Sequence, residues 1–224
     1  PENQFLEEIQ VLTQKEGALL IFDEVLTGFR FDLGGAQKRF GVTPDLACFG
    51  KAMANGFPLA ALVGRKKLME QFEEVFFSFT FGGEVLSLAA AKATLEKMVR
   101  NNVVAHLWNS GHKIRDGYNV LASQCGLEKV TQCIGFSPRT VIEFKGKDEA
   151  EQLALKSLFQ QECLKRGVLF TGYHLPSDSH QDAEVDELLR VYAAAMQILA
   201  KAYQAGDLTQ QLEGDPVQPV FRST

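Results

Sequence analysis

Two residues of opposite charge, Asp23 and Lys51, each close an apolar run: Leu19-Leu20-Ile21-Phe22 leads into Asp23, and Leu46-Ala47-Cys48-Phe49-Gly50 leads into Lys51. Short unbroken apolar runs read as strands buried on both faces, and in an open parallel sheet ligands sit in the crevice beyond the carboxyl ends of such strands. Both side chains are therefore expected at one crevice. A primary amine and a carboxylate at neighbouring strand ends suit pyridoxal phosphate, whose aldehyde a lysine holds as a Schiff base and whose ring nitrogen an acid keeps protonated. The same amine, once released, can act as a base on the substrate carbon.

Each residue also has a commoner use. A lone Gly-Lys pair is frequent by chance, and an aspartate at a strand end usually caps a turn. The apolar approach to Asp23 argues for more, because a carboxylate buried there needs a cationic partner and a protonated pyridine nitrogen supplies one. Val25 points to the same side of an extended chain as Asp23; spacing alone fits a core valine and a ring-packing residue equally. Thr80, in Ser78-Phe79-Thr80-Phe81-Gly82-Gly83-Glu84, precedes a long helix, where a hydroxyl, neighbouring amides and a helix amino terminus would together make an anion site. Glu24 and Arg30 read as structural, pairing charges within the loop. His106, His112, His174 and His180 read as surface residues, and the acidic clusters Asp148-Glu149-Glu151 and Asp182-Glu184-Asp186-Glu187 as complements to helix dipoles.

The words around Asp23 and Lys51 carry a resemblance. Asp23-Glu24-Val25-Leu26-Thr27-Gly28-Phe29-Arg30, then Gly41-Val42-Thr43-Pro44-Asp45-Leu46, then Gly50-Lys51 through Asn55-Gly56-Phe57-Pro58-Leu59 to Gly64-Arg65 occur in one order. The chain resembles the class III aminotransferases, most of all their glutamate-1-semialdehyde 2,1-aminomutase branch. The resemblance is densest from Gly17 to Lys97. It implies a fold-type I enzyme of α/β class that uses pyridoxal phosphate as a homodimer, with Lys51 on the aldehyde, Asp23 on the ring nitrogen, Val25 on the ring face and Thr80 reaching the phosphate of the partner subunit's cofactor. Glu84-Val85 stands where the family commonly has an asparagine-proline pair. It implies too that about half of a typical member, including a glycine- and serine-containing phosphate loop, lies upstream of Pro1. The expectation for this chain alone is an incomplete, inactive site, and a non-catalytic fragment is the competing reading.

Substrates implied are an amino acid donor and a carbonyl acceptor. True aminomutases of this family carry an extra glutamate after a Pro-Ser-Gln-Phe word, and the corresponding Gly167-Val168-Leu169-Phe170-Thr171-Gly172-Tyr173-His174 has no carboxylate. Transamination of a keto sugar or keto acid is thus preferred, with aminomutation as the alternative.

Composition narrows the partners. The chain has 46% apolar residues and a net charge of −5, with 23 basic residues scattered along it. Neither nucleic acid nor an anionic membrane is expected without a clustered basic stripe. Cys48, Cys125, Cys133 and Cys163 form no Cys-x-x-Cys pair and stand at no metal-ligand spacing, so reduced thiols in a cytoplasmic protein, without metal, are the expectation. No run reaches the length of a membrane span.

The elements that would position these residues follow from periodicity. Helices are expected over residues 3–16, 85–100, 103–124, 148–166 and 182–204. Strands are expected over 18–22, 46–49, 59–63, 130–136, 140–144 and 168–170. Gly34-Gly35 to Phe40 reads as a loop with one helical turn, and Gly206 to Thr224 as a loosely held polar tail. The arrangement is the second half of a large parallel-sheet domain (residues 1–101) followed by a small α+β carboxy-terminal domain (102–224).

Overall fold

The structure is a computed structural model that describes residues 1–76 and 78–218; Phe77 of the Phe76–Phe81 aromatic run and residues 219–224 of the tail lie outside the described residues. The chain divides into two compact units, Pro1–Ala105 and His106–Thr224. The first contains α1 (Phe5–Lys15), β1 (Ile21–Glu24), α2 (Gly35–Phe40), β2 (Leu46–Phe49), β3 (Ala61–Gly64), α3 (Lys66–Met69) and α4 (Val85–Arg100). The division falls in the first turn of α5 (Val103–Gln124), and the second unit continues with β4 (Thr131–Phe136), β5 (Arg139–Phe144), α6 (Glu149–Lys165), β6 (Tyr173–His174) and α7 (Asp182–Ala205).

In the first unit the strand order is β1-β2-β3. β1 and β2 are parallel, with Asp23 opposite Cys48 and Glu24 opposite Phe49. β3 departs from a purely parallel sheet, because it runs antiparallel to β2; Gly50 to Ala60 is too short for the crossover that a parallel return needs. One side chain ties all three strands at their far end: the Asp45 carboxylate accepts the Leu20 N–H at 2.8 Å and pairs with the Arg65 guanidinium.

The expectation that β1 is buried on both faces does not hold. Leu19 and Ile21 are 50% and 54% exposed, whereas Ala47, Phe49, Met53, Ala54 and Ala91 form the core on the opposite side. Strand residues alternate faces, so a sheet covered on one side leaves every second apolar residue of its edge strand in water. α4 is alanine- and leucine-rich, as a stable helix should be, and contributes Ala91 to that core.

The second unit packs the sheet β4-β5-β6 against α5, α6 and α7. Thr131, Cys133, Thr140, Ile142 and Phe144 face inward by strict alternation on the β4–β5 hairpin, and Tyr118, Phe159, Phe170 and Tyr192 form an aromatic centre with ring separations of 5.1–6.2 Å. α5 meets the hairpin turn through a glycine: a Cβ on Gly111 would lie 1.8 Å from the Ser137 carbonyl oxygen. The strand expected over 168–170 is absent. The third strand is instead Tyr173–His174, pairing with Val141 and Thr140, while Phe170 fills the core from irregular chain. From Gly206 to Gln218 the tail is also better held than its composition suggests. Leu208 is buried, the Glu213 N–H donates to Gln161 Oε1 at 2.8 Å, and the Val217 N–H donates to Ser157 Oγ at 2.9 Å.

Candidate functional site

Lys51 leaves the end of β2 through a backbone that few L residues adopt, with φ +38°. It opens a 3-10 turn, Lys51–Met53, in which the Met53 N–H reaches the Gly50 carbonyl at 3.0 Å and the Asn55 N–H reaches the Lys51 carbonyl at 3.1 Å. Met53 and Ala54 are buried beneath this turn, so it is anchored from below while the Lys51 side chain stays exposed. Unusual backbone held by a buried anchor is a recurrent property of functional positions.

Asp23 stands on the neighbouring strand, and its Oδ1 accepts the Val25 N–H at 2.9 Å. Val25 packs on the residue before Lys51: a Cβ built on Gly50 would sit 3.5 Å from Val25 Cγ1. The structure therefore brings Asp23, Val25 and Lys51 together at the carboxyl ends of two adjacent parallel strands. One detail differs from the sequence reading. Asp23 is exposed on the open face, and the buried carboxylate at this strand end is Glu24, at 1% exposure.

Glu24 accordingly has a different role from ion pairing within its loop. Its oxygens accept the N–H groups of Ala36 and Gln37, each at 2.8 Å, and the Thr27 hydroxyl. It occupies the amino end of α2, where Gly35 has φ +78° and a Cβ would come within 2.6 Å of Glu24 Oε1. Arg30 is half-buried, and burial pushes its guanidinium pKa down.

Thr80 is exposed, but the anion site expected with it is already taken at its helix. The Glu84 carboxylate caps α4, accepting the Leu86 N–H at 2.5 Å and the Ser87 N–H at 2.7 Å. Hydrogen bonds from Ser87 and Leu86 hold its pKa below the ordinary carboxylate value. The carboxylate complements the positive end of the helix dipole, so this helix end is neutralised within the chain.

The histidines divide. His106 Nε2 lies 3.0 Å from the His180 carbonyl oxygen, and His112 pairs with Asp116. His174 is not a surface residue: it is buried on β6, with Nδ1 2.8 Å from Thr140 Oγ1 and Nε2 2.7 Å from Tyr192 Oη. Burial lowers its pKa to about 4. The alternation of Tyr173 out and His174 in was the only sequence signal for this, and it depends on knowing that the strand starts there. At the acidic helix starts Asp148 caps α6 and Glu184 closes a capping box with Gln181 on α7, while Asp182 pairs with Lys113 and Glu187, beyond the first turn, pairs with Arg190.

A cavity of about 490 Å³ in the second unit, lined in part by Phe170, His174, Leu175, Leu188 and Tyr192, contains none of Asp23, Val25, Lys51 or Thr80. Among the described residues no group of three or more His, Cys, Asp or Glu could hold a metal ion, and no helix is long and apolar enough to cross a membrane. The donor set at the β1–β2 ends fits the aldehyde and ring of pyridoxal phosphate: a primary amine, a carboxylate and an apolar branched side chain. The amino ends of α2 and α4 offer nothing for its phosphate, because Glu24 and Glu84 occupy them.

The chain is 34% identical over 207 residues to glutamate-1-semialdehyde 2,1-aminomutase of Desulfitobacterium hafniense, covering 84% of this chain and 47% of the relative. It is 38% identical over 199 residues to the enzyme of that name from Syntrophobacter fumaroxidans, covering 83% and 46%. Among solved structures, the PLP internal aldimine form of Sphingopyxis sp. MTA144 FumI protein superposes with a TM-score of 0.81 at 27% identity, covering 90% of this chain and 48% of that one. An omega-transaminase from Sphaerobacter thermophilus gives 0.78 at 26%, covering 87% and 48%. The chain thus spans about half the length of the curated relatives it matches. The model of the aminotransferase class-III family matches residues 1–195, and the chain belongs to that family.

Proposed function

We propose that the intact protein is a pyridoxal phosphate-dependent transaminase that moves an amino group from an amino acid donor to a carbonyl acceptor. The carrying observation is the in-register parallel pairing of β1 and β2, with Asp23 opposite Cys48 and Lys51 beginning the turn beyond. Pyridoxal phosphate, when bound, supplies the electron-withdrawing ring that stabilises negative charge on the substrate α-carbon. Lys51 would hold the aldehyde end and, freed by the incoming amine, its Nζ would serve as the base for the proton of the substrate α-carbon. Asp23 would keep the ring nitrogen protonated, and Val25 would cover one ring face. The first unit corresponds on this reading to part of the large cofactor domain. We propose a symmetric homodimer in which the exposed Thr80 hydroxyl reaches the partner's phosphate without help from the α4 amino end, which Glu84 caps. The four free cysteines support a reducing, cytoplasmic setting.

Aminomutation of glutamate-1-semialdehyde is the second reading, favoured by the names of the sequence relatives. Against it stands the absence of a carboxylate from Gly167 to His174. The intact protein should be supplied with glutamate-1-semialdehyde alone and, separately, with glutamate and a panel of carbonyl acceptors. Transfer to an acceptor of the panel is expected; efficient conversion of the semialdehyde to 5-aminolevulinate without a second substrate would establish the aminomutase instead.

A further inference from the structure

Glu24 is the most deeply buried carboxylate of the first unit, at 1% exposure, and it adjoins Asp23 on β1. A buried carboxylate must have its lone pairs taken. Here the Ala36 and Gln37 amides and the Thr27 hydroxyl take them, while the Glu24 carbonyl accepts the Gly28 N–H at 2.8 Å. One residue therefore closes the loop from Val25 to Gly34 at both ends: its main chain holds Gly28, and its side chain holds the start of α2. Val25, the first residue of that loop, donates its N–H to Asp23 Oδ1 and faces Gly50 beside Lys51, where an added Cβ would meet Val25 Cγ1 at 3.5 Å. The direction of the Asp23 carboxylate thus depends on a backbone that Glu24 fixes.

We infer that Glu24 is a positioning residue for Asp23, setting the aim of its carboxylate at the cofactor's ring nitrogen through the closed Val25–Gly34 loop. The inference rests on the cofactor reading above. Glu24→Gln keeps the shape but replaces one acceptor oxygen by an NH2 group, which then faces the Ala36 or Gln37 N–H. Misaiming a catalytic group by about 1 Å costs roughly 100-fold in rate.

The intact protein and its Glu24→Gln variant should be compared by pyridoxal phosphate titration, by borohydride fixation with peptide mapping at Lys51, and by turnover with pyridoxal phosphate or its N-methyl analogue, whose ring nitrogen is permanently cationic. The expected result is a variant labelled at Lys51 with weaker cofactor affinity. Its turnover should fall roughly 10–100-fold with the natural cofactor, and most of that deficit should vanish with the N-methyl analogue, which needs no carboxylate to keep its charge. Thr27→Val, which removes a single hydrogen bond to Glu24, should move every readout in the same direction by less, and keeps the test available if Glu24→Gln does not fold. Parental behaviour of both variants, or a deficit equal with the two cofactors, would overturn the positioning role and leave a merely structural one. Absence of label at Lys51 in the unsubstituted protein would overturn the cofactor reading itself and this inference with it.

Discussion

Asp23 stands directly across the parallel β1–β2 ladder from Cys48, so that the carboxylate and the thiol share one face and Lys51 follows at the end of the same strand. This relationship makes Asp23 and Lys51 separable by substitution. In the intact protein Lys51→Ala should lose borohydride-fixed label and lower turnover about 10²–10⁴-fold or more, the range for a positioned acid–base group. Asp23→Asn should keep the label and lose about 10²–10³-fold, the range for one preorganised electrostatic partner. Full activity of Lys51→Ala would remove the lysine from the mechanism.

If Thr80 serves the partner's cofactor, two defective subunits should complement. Mixing Lys51→Ala with Thr80→Val chains collects both lesions in one composite site and leaves the other intact. Activity above either parent homodimer is the expected outcome, approaching half of the unsubstituted value per heterodimer in the limit of roughly independent sites. No gain on mixing, with heterodimers demonstrated, would show that Thr80 acts within its own subunit or not at all.

His174 should make the second unit acid-sensitive. Its folded pKa of about 4 lies below the ordinary 6.5, so the unfolded chain binds the proton first. Stability is full above about pH 6.5 and is lost as the pH falls towards 4, by roughly 3 kcal/mol at about 1.4 kcal/mol per pKa unit. Thermal melts from pH 7.5 to 4 should show this slope flattened in His174→Gln, which is less stable at neutral pH because it forfeits hydrogen bonds to Thr140 and Tyr192. Equal slopes in the two proteins would mean that His174 is protonated in the native state.

The contact of Gly111 with the Ser137 carbonyl leaves no room for a methyl group. Gly111→Ala should force the β4–β5 turn away from α5 and destabilise the second unit by about 1–3 kcal/mol, the usual cost of overpacking. An unchanged denaturation midpoint would show that the turn yields without cost.

The bounds of α4 and α5 were legible to the residue: α4 is alanine- and leucine-rich after Glu84, and Asn101-Asn102 separates it from an α5 whose apolar residues recur at helical spacing, neither of which needs tertiary information. The adjacency of β1 and β2 was legible too, but β1 runs Ile21–Glu24 and includes Asp23, where the apolar run predicts a strand over 18–22 that stops before it. What escaped depended on partners distant in sequence. Val168-Leu169-Phe170 has strand composition, but Phe170 is drawn into the aromatic centre and the pairing with β5 passes to Tyr173–His174. Which of Asp23 and Glu24 is buried was undecidable locally, since it turns on the amides of Ala36 and Gln37. The cap on α4 did have a signal, an acid between Gly82-Gly83 and an apolar helical run.

Asp45 lies at the opposite end of the first sheet from Lys51, yet it bears on where the amine arrives. Held to Leu20 on one flank and Arg65 on the other, it denies β2 any sliding between its neighbours. A shift of one residue would carry Lys51 about 3.3 Å along the strand and turn Cys48 to the buried side. The spacing of amine and carboxylate is therefore metered from the strand's beginning, much as the far pin of a hinge sets where a door's edge closes.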